Sequence, residues 1–491
     1  MEYVPTIGLE IHAELKTKTG MFCDCLNDPE EKRPNVNVCP VCLGHPGSLP
    51  TINKQAVEHV LKVGLALGGK ITPVSKFDRK NYFYPDLPKG YQISQYDQPL
   101  VTGGELLGVG VTRVHLEEDT GTLIHDDSRG EHSLADFNRA GVPLMELVTE
   151  PDIHDAATAV RFAKELQMIL RYLGVSDANM EKGQMRIEVN LSIAPAGSKE
   201  LGTKVEVKNI NSFKAVEDAI NHEIERQNKE LEAGRSITQE TRGVGSTKIS
   251  SGTVTITKSQ RSKEDAHDYR YFPEPDLPPF ETKEFDLERI ARELPELPRD
   301  RRVRFKKEYG FDDKQAEAFV EDRGAGDFYE AAASELKLRD KDEKEDAAGM
   351  AEAKKLLFNY LNTDLRSLMA AASTAFVDLK ITPENFAELV DLIADKQITS
   401  RQAKDLLVEM HSNGGDPTSI MKDKGVALVS DEGALLDTVQ AVIAANEKAV
   451  ADYKAGKEAS LQFLVGQAMK VLEGQGEPNV LRDLLKREIG S

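Results

Sequence analysis

Two groups of residues in this chain have the types and spacing to do chemistry. The first is soft: all four cysteines fall between positions 23 and 42, as Cys23-Asp24-Cys25 and Cys39-Pro40-Val41-Cys42. Two close thiolate pairs offer a divalent cation four sulfur ligands in a tetrahedron, and Zn²⁺ is the usual occupant of such a closed site. Closure leaves no open position for substrate, so the expected role of Cys23, Cys25, Cys39 and Cys42 is structural. Pairing as two disulfides is the competing reading; the cramped Cys-x-Cys loop and a cytosolic setting weigh against it.

The second group is hard. In Ile7–Leu15, strict alternation sends Ile7, Leu9, Ile11, Ala13 and Leu15 one way and Glu10, His12 and Glu14 the other. Alternation also groups Arg113, His115 and Glu117 in one segment, Arg186, Glu188 and Asn190 in a second, and Lys204, Glu206 and Lys208 in a third. A solvated sheet face alternates too. These segments, however, combine carboxylates with His and Asn, the set that holds Mg²⁺ beside phosphates. Glu117-Glu118-Asp119 crowds three acids at a strand end, which is costly without a cation nearby. A magnesium-nucleotide site is therefore expected. The P-loop pattern is absent, and Gly243–Lys248 has the wrong spacing for one. Two tyrosine- and proline-rich segments, Asp86–Tyr91 and Asp268–Pro279, are too polar for plain connectors. In the second, Asp268, Arg270 and the tyrosines could stack on and clamp a nucleotide or an RNA end.

The elements that must position these groups change character along the 491 residues. From residue 3 to about 280 the pattern mixes period-two strands with a few helices, and beyond about 290 it is almost wholly helical. Leu294-Pro295-Glu296-Leu297-Pro298 marks the break, giving expected domains at 1–293, 294–412 and 413–491. Helices are expected over Ala156–Leu173, Ser212–Leu231 (capped by Ser212), from Thr382-Pro383-Glu384 to about Asp395, and over Ser400–His411. Asn413–Pro417 reads as a breaker, and the charge run at 338–346 as a solvated loop. The start of the chain lacks a signal-peptide pattern and no apolar run is long enough to span a bilayer, so a cytoplasmic protein with no membrane partner is expected. The net charge of -20 argues against broad nucleic-acid binding but leaves room for a shaped site for one RNA end.

Several segments together resemble a known family. They are Gly8–His12, Cys39–Gly44, Lys80–Gln95, His115–Asp119, Asn138–Leu144, Lys208–Phe213 and Asp268–Pro279. The chain is similar, nearly end to end, to the B subunits of tRNA-dependent amidotransferases, which convert Glu-tRNA(Gln) to Gln-tRNA(Gln) and Asp-tRNA(Asn) to Asn-tRNA(Asn). The resemblance implies an α+β fold: an antiparallel-sheet cradle, a helical domain, and a helical tail that reaches tRNA. It also implies ATP and Mg²⁺ as cofactors beside the structural Zn²⁺, with phosphorylation of the misacylated side-chain carboxylate and displacement of phosphate by ammonia. Implied partners are an amidase-like glutaminase and a small extended third subunit, forming a heterotrimer that acts on misacylated tRNA. Matched residue by residue, Glu10, His12, Glu117, Glu118 and Glu150 become catalytic candidates, and Glu188 is added from the polar strand. Of these, Glu10, His12, Glu118 and Glu188 are the expected Mg²⁺ ligands, and Asp268, Arg270, Lys208 and Asn209 the cofactor-binding set.

Two departures from the family pattern stand out. Arg186-Ile187-Glu188-Val189-Asn190 replaces the usual Arg-Cys-Asp-Ala-Asn, lengthening the acid by one methylene, and Leu472–Gly476 lacks the usual Lys-Gly-Lys cations. Two rival functions follow from the residues. A non-catalytic tRNA-binding subunit would keep the acids as a solvated face. A self-sufficient glutamine amidotransferase would need a nucleophile, and no cysteine lies outside the cluster.

Overall fold

The apolar side of Tyr3–Glu14 is sealed: Ile7, Ile11 and Ala13 have no exposed surface. In the computed structural model this strand lies in the middle of a ten-stranded sheet. The order is Gly252–Ser262, Glu240–Ile249, Val205–Ile210, Met185–Pro195, Tyr3–Glu14, Pro143–Thr149, Val109–Glu118, Val101–Thr102, Lys70–Ile71, with Glu105–Leu106 pairing Val109–Glu118 off this path. The structure describes residues 2–490 apart from 29, 126–131, 250–251, 263–268, 337–342, 425–431, 473–475 and 477. Every described strand pair in this sheet is antiparallel except Val205–Ile210 with Glu240–Ile249. That parallel pair is bridged by the helix Phe213–Glu232, the crossover a parallel connection requires.

Helices Lys54–Ala66, Ala156–Tyr172 and Phe213–Glu232 cover the apolar face. Val60, Leu61, Phe162, Leu166, Val216 and Ile220 join Ile7, Leu9 and Ile11 in one core. Each helix starts at a side-chain cap: Asn53, Asp155 and Ser212 accept from the amides of Ala56, Thr158 and Ala215. With one face of the sheet buried in this way, the alternating polar residues are all delivered to the other.

The compact first unit is Met1–Asp300 and the second is Arg301–Ser491. Leu294 and Leu297 pack on the first core. The second unit is helical and holds two hydrophobic cores, one around Phe305, Phe319, Tyr329 and Phe386, the other around Leu435, Leu464 and Leu485. Thr382 caps Pro383–Ala394, Thr399 forms a capping box on Ser400–Asn413, and Gly414 at φ 74° ends that helix, as its sequence foretells. Residues from Glu343 onward belong to the helix Glu343–Asn359, which corrects the loop expected at 338–346; the Glu, Lys and Ala content favours it. The rest of that run, and most of the 472–476 stretch, lie outside the described residues. The architecture is thus mixed α+β, sheet-rich first and helical after. Among the described residues no helix is long and apolar enough to cross a membrane.

Candidate active site

Strand register assembles the polar face. His12 lies opposite Glu146 on one side and Arg186 on the other, and Glu146 lies opposite His115. One row across four strands therefore reads His115, Glu146, His12, Arg186. His12 Nε2 sits 3.3 Å from Glu146 Oε2 and 3.4 Å from Glu117 Oε1. His115 Nε2 reaches the same Glu146 oxygen at 3.5 Å, and Arg113 approaches the other at 3.6 Å. Glu117 also accepts from Ser94 Oγ at 3.1 Å.

The charges are set by these contacts. Burial disfavours the imidazolium of His12, but hydrogen bonding to Glu117 and Glu146 outweighs it and holds the group well above its usual value. Burial likewise opposes ionisation of Glu146, yet the facing His115, His12 and Lys80 keep its carboxylate well below the usual range. His115 is pushed the other way, because burial dominates there.

A second acid group adjoins the first. Carboxylate oxygens of Glu10, Glu188 and Glu206 lie within 4.8 Å of one another, as do ligand atoms of Glu10, His12 and Glu146. Lys208 Nζ holds Glu188 at 2.7 Å and Glu206 at 3.3 Å. The strand pairing slips between Ile187 and Val189, where the facing segment from Val207 to Ile210 carries an extra residue. Asn209 takes up that bulge at φ 60°, a conformation asparagine tolerates. It is exposed and joins neither acid group.

Glu10 is pushed up to about 7, by burial first and then by Glu146 and Glu188. Its ordinary value is 4.5. Between the two, the folded chain holds a proton that the unfolded chain has released, so the group withdraws stability as pH rises through this window. Glu10→Gln has no proton to lose. It should be more stable than wild type by about 1–2 kcal/mol near pH 8 and nearly equal to it near pH 4. Urea unfolding in magnesium-free buffer reads the difference; the same gain at both pH values would contradict the assignment.

The remaining candidates lie elsewhere. Glu118 faces away from Glu117, as neighbours on a strand must. It accepts from Lys89 Nζ at 2.7 Å and the Ile93 amide at 2.9 Å, at a cavity of about 210 Å³ whose lining includes Cys23 and Cys42. Asp119 pairs with Arg186 at 2.9 Å and Arg139 at 3.6 Å. Glu118 thus parts from Glu117 and Asp119, each of the three is met by its own protein cation, and the expected crowding does not occur. Glu150 is exposed and accepts from Thr112 Oγ1 at 2.8 Å. Arg270, at φ 42°, accepts through its carbonyl from Asn81 Nδ2 at 2.9 Å, and Asp268 lies outside the described residues.

Alternation within single segments did not reveal Glu146 or Lys80 as members of the site, and it left Glu206 without a role. Glu146 is a lone acid in the apolar strand Pro143–Thr149, so no polar alternation flagged it. Only pairing of that strand against Glu10–Glu14 could have found it.

The four cysteines gather as expected from their spacing. Their sulfur atoms all lie within 4.8 Å of one another, with Cys25–Cys42 at 4.0 Å and Cys39–Cys42 at 3.9 Å. Zinc–thiolate bonds of about 2.3 Å in a tetrahedron need sulfurs roughly 3.8 Å apart, so the donor set fits the ion. The Cys39 amide donates to Cys42 Sγ at 3.1 Å, and amides of Leu43 and Gly44 close the turn on Cys39 and Val41.

Comparison with known proteins gives this geometry a family. A family model described as the GatB/GatE catalytic domain matches residues 5–288, and one described as the GatB domain matches residues 343–489. The chain is 43% identical to the B subunit of the aspartyl/glutamyl-tRNA(Asn/Gln) amidotransferase of Picosynechococcus sp., over 99% of this chain and 98% of the relative. It is 45% identical to the protein of the same name from Dehalococcoides mccartyi, over 99% of each. The Thermomicrobium roseum protein, also of that name, is 45% identical over 100% of this chain and 99% of its own length. Matched from end to end at such identity, and carrying its acids and histidines inside the matched catalytic domain, the chain belongs to the family of aspartyl/glutamyl-tRNA(Asn/Gln) amidotransferase B subunits.

Proposed function

We propose that this chain is the activating subunit of a cytoplasmic, glutamine-hydrolysing carbon-nitrogen ligase that amidates Glu-tRNA(Gln), Asp-tRNA(Asn) or both. The γ-phosphoryl of ATP passes to an oxygen of the side-chain carboxylate, releasing ADP. Ammonia then bonds to the carbonyl carbon and inorganic phosphate leaves, giving the amide. The observation that carries this reading is the buried His12–Glu146–Glu117 constellation beside the Glu10–Glu188–Glu206 group.

The donor set of these residues, carboxylate oxygens with one imidazole, suits Mg²⁺ at the polyphosphate. Glu10, Glu146 and, once it gives up its proton, His12 would hold it, with Glu188 beside Glu10; Glu146 replaces Glu118, whose carboxylate faces Lys89. When bound, the cation neutralises phosphate charge and orients the transferable group. The chain's own residues do the rest. Lys208 fixes Glu188, whose extra methylene would otherwise let it wander, and the Glu146 contact fixes the ring of His12. Cys23, Cys25, Cys39 and Cys42 would hold Zn²⁺ as a staple. We assign activation to residues 1–293, and tRNA contact to the tail at 413–491.

Ammonia comes from an amidase-like glutaminase partner, with a small extended third subunit completing the heterotrimer. The support is chemical: amide hydrolysis needs an activated hydroxyl or thiol, and every thiol here sits in the cysteine cluster. A complex with a glutaminase-dead partner, given ATP and misacylated tRNA, should amidate with high ammonium chloride and not with glutamine. Activity with glutamine would place hydrolysis in this chain. Failure with ammonium would mean that activation lies elsewhere and that this is a binding subunit.

A further inference from the structure

Lys80 is a cation at the acid cluster whose nearest carboxylate is distant. It lies on the strand Asp78–Asn81, opposite Gln92 on Tyr91–Ser94. Alternation sends the neighbouring Arg79 to the far side, where it forms a bidentate pair with Glu274 at 2.6 and 2.8 Å. Lys80 instead points to the acids, with Nζ 4.0 Å from Glu117 Oε2 and 5.3 Å from the ring centre of Tyr269. Its side chain is only 18% exposed, and among the described residues no acceptor lies within hydrogen-bonding distance of the ammonium. Tyr82, Tyr269 and Tyr271 wall the position: Tyr269 stands 5.9 Å from Tyr82 and 6.1 Å from Tyr271, centre to centre.

Three neighbouring cations are already paired at close range, Arg186 with Asp119, Lys89 with Glu118 and Lys208 with Glu188, while Arg113 stands 3.6 Å from Glu146. An ammonium carries three donors, and here no protein acceptor among the described residues meets them, which leaves them to solvent or to a ligand. An anionic oxygen entering between Lys80 and the acid row would satisfy them. The acids need a cation on their own side to tolerate that anion, and a carboxylate-bound metal is the form phosphoryl sites use.

We propose that Lys80 is a catalytic residue that binds a phosphoryl oxygen during transfer, from the side opposite the carboxylates. This rests on the activation reading above. Charge developing on the transferred group would be met by a preorganised donor in a site with little water, where one such donor is worth about 100-fold or more in rate.

The test uses the assembled complex with ammonium as nitrogen donor. Lys80→Met should lower kcat about 100-fold while the KM for misacylated tRNA shifts less than about threefold, and Lys80→Arg should recover roughly tenfold of that loss. Calorimetric titration with inorganic phosphate alone gives a second reading: affinity should fall about tenfold or more in Lys80→Met. Should Lys80→Met fail to assemble, Lys80→Gln and Lys80→Arg carry both measurements. A folded Lys80 variant with wild-type kcat, or with unchanged phosphate affinity, overturns the proposal. A wild-type complex that amidates nothing overturns the activation reading instead, and the phosphate titration still decides for or against Lys80.

Discussion

Glu146→Gln should abolish ATP-dependent amidation and leave the sheet folded. The carboxylate of Glu146 is shared by His12, His115 and Arg113, and only 4% of its side chain is exposed. Glutamine keeps the shape and removes the charge. His12 then loses one of the two acceptors that hold it protonated, and the proposed cation site loses an oxygen ligand. Loss of both should reduce kcat by about 10³-fold, since removal of one preorganised electrostatic group already costs about 10²–10³. Glu146→Ala is the harsher change. It removes one of the two acceptors of His12 and opens a void in the buried row, and should cost about 2 kcal/mol of stability besides. ADP release on misacylated tRNA with ammonium as donor, with urea unfolding alongside, separates the two effects. A Glu146→Gln rate within about tenfold of wild type would remove this residue from the chemistry.

The other large effect concerns the cysteines. Purified protein should carry one Zn²⁺ per chain, and Cys39→Ser with Cys42→Ser should lose it, because metal binding at such a site is folding free energy. The damage should not stay local. Gly44 packs directly on Lys89, which holds Glu118, and Glu118 is the immediate neighbour of Glu117. The same segment runs to Asn53, whose amide bonds to the Met21 carbonyl and whose side chain caps Lys54–Ala66. The double variant should therefore melt about 10 °C lower and lose most activity. Elemental analysis and a thermal melt check this; a metal-free wild type, or a variant with unchanged melting and activity, would contradict it.

Much of the site was legible because alternation is a strict rule. Glu10 and His12 had to share a face once Ile7, Leu9 and Ile11 were buried, and His115 and Glu117 followed in the same way. Helix ends were legible where a capping residue met a proline or a glycine, as at Thr382-Pro383 and Gly414. What the sequence withheld were relations between strands. Nothing within Pro143–Thr149 says that Glu146 faces His12, since register is a property of the pair. Glu118 was misplaced for the converse reason: three adjacent acids read as one cluster until the pleat parts them. Lys80 sat inside a recognised motif, but its approach to Glu117 depends on a small sheet docking against a large one.

The position of Tyr3–Glu14 in the sheet has a further consequence, for how the chain is made. This strand leaves the ribosome well before its two neighbours, Pro143–Thr149 and Met185–Pro195. At about 5–20 residues per second, some 10–40 seconds pass before both can close on it. Until Pro143–Thr149 emerges, Ile7, Leu9 and Ile11 have no sheet to enter and both edges of the segment are open to pairing with other nascent chains, and one edge stays open until Met185–Pro195 follows. Nascent chains stalled before residue 195 should engage chaperones strongly and those stalled beyond it weakly, so the yield of this protein should depend on translation speed and chaperone supply more than on its final stability.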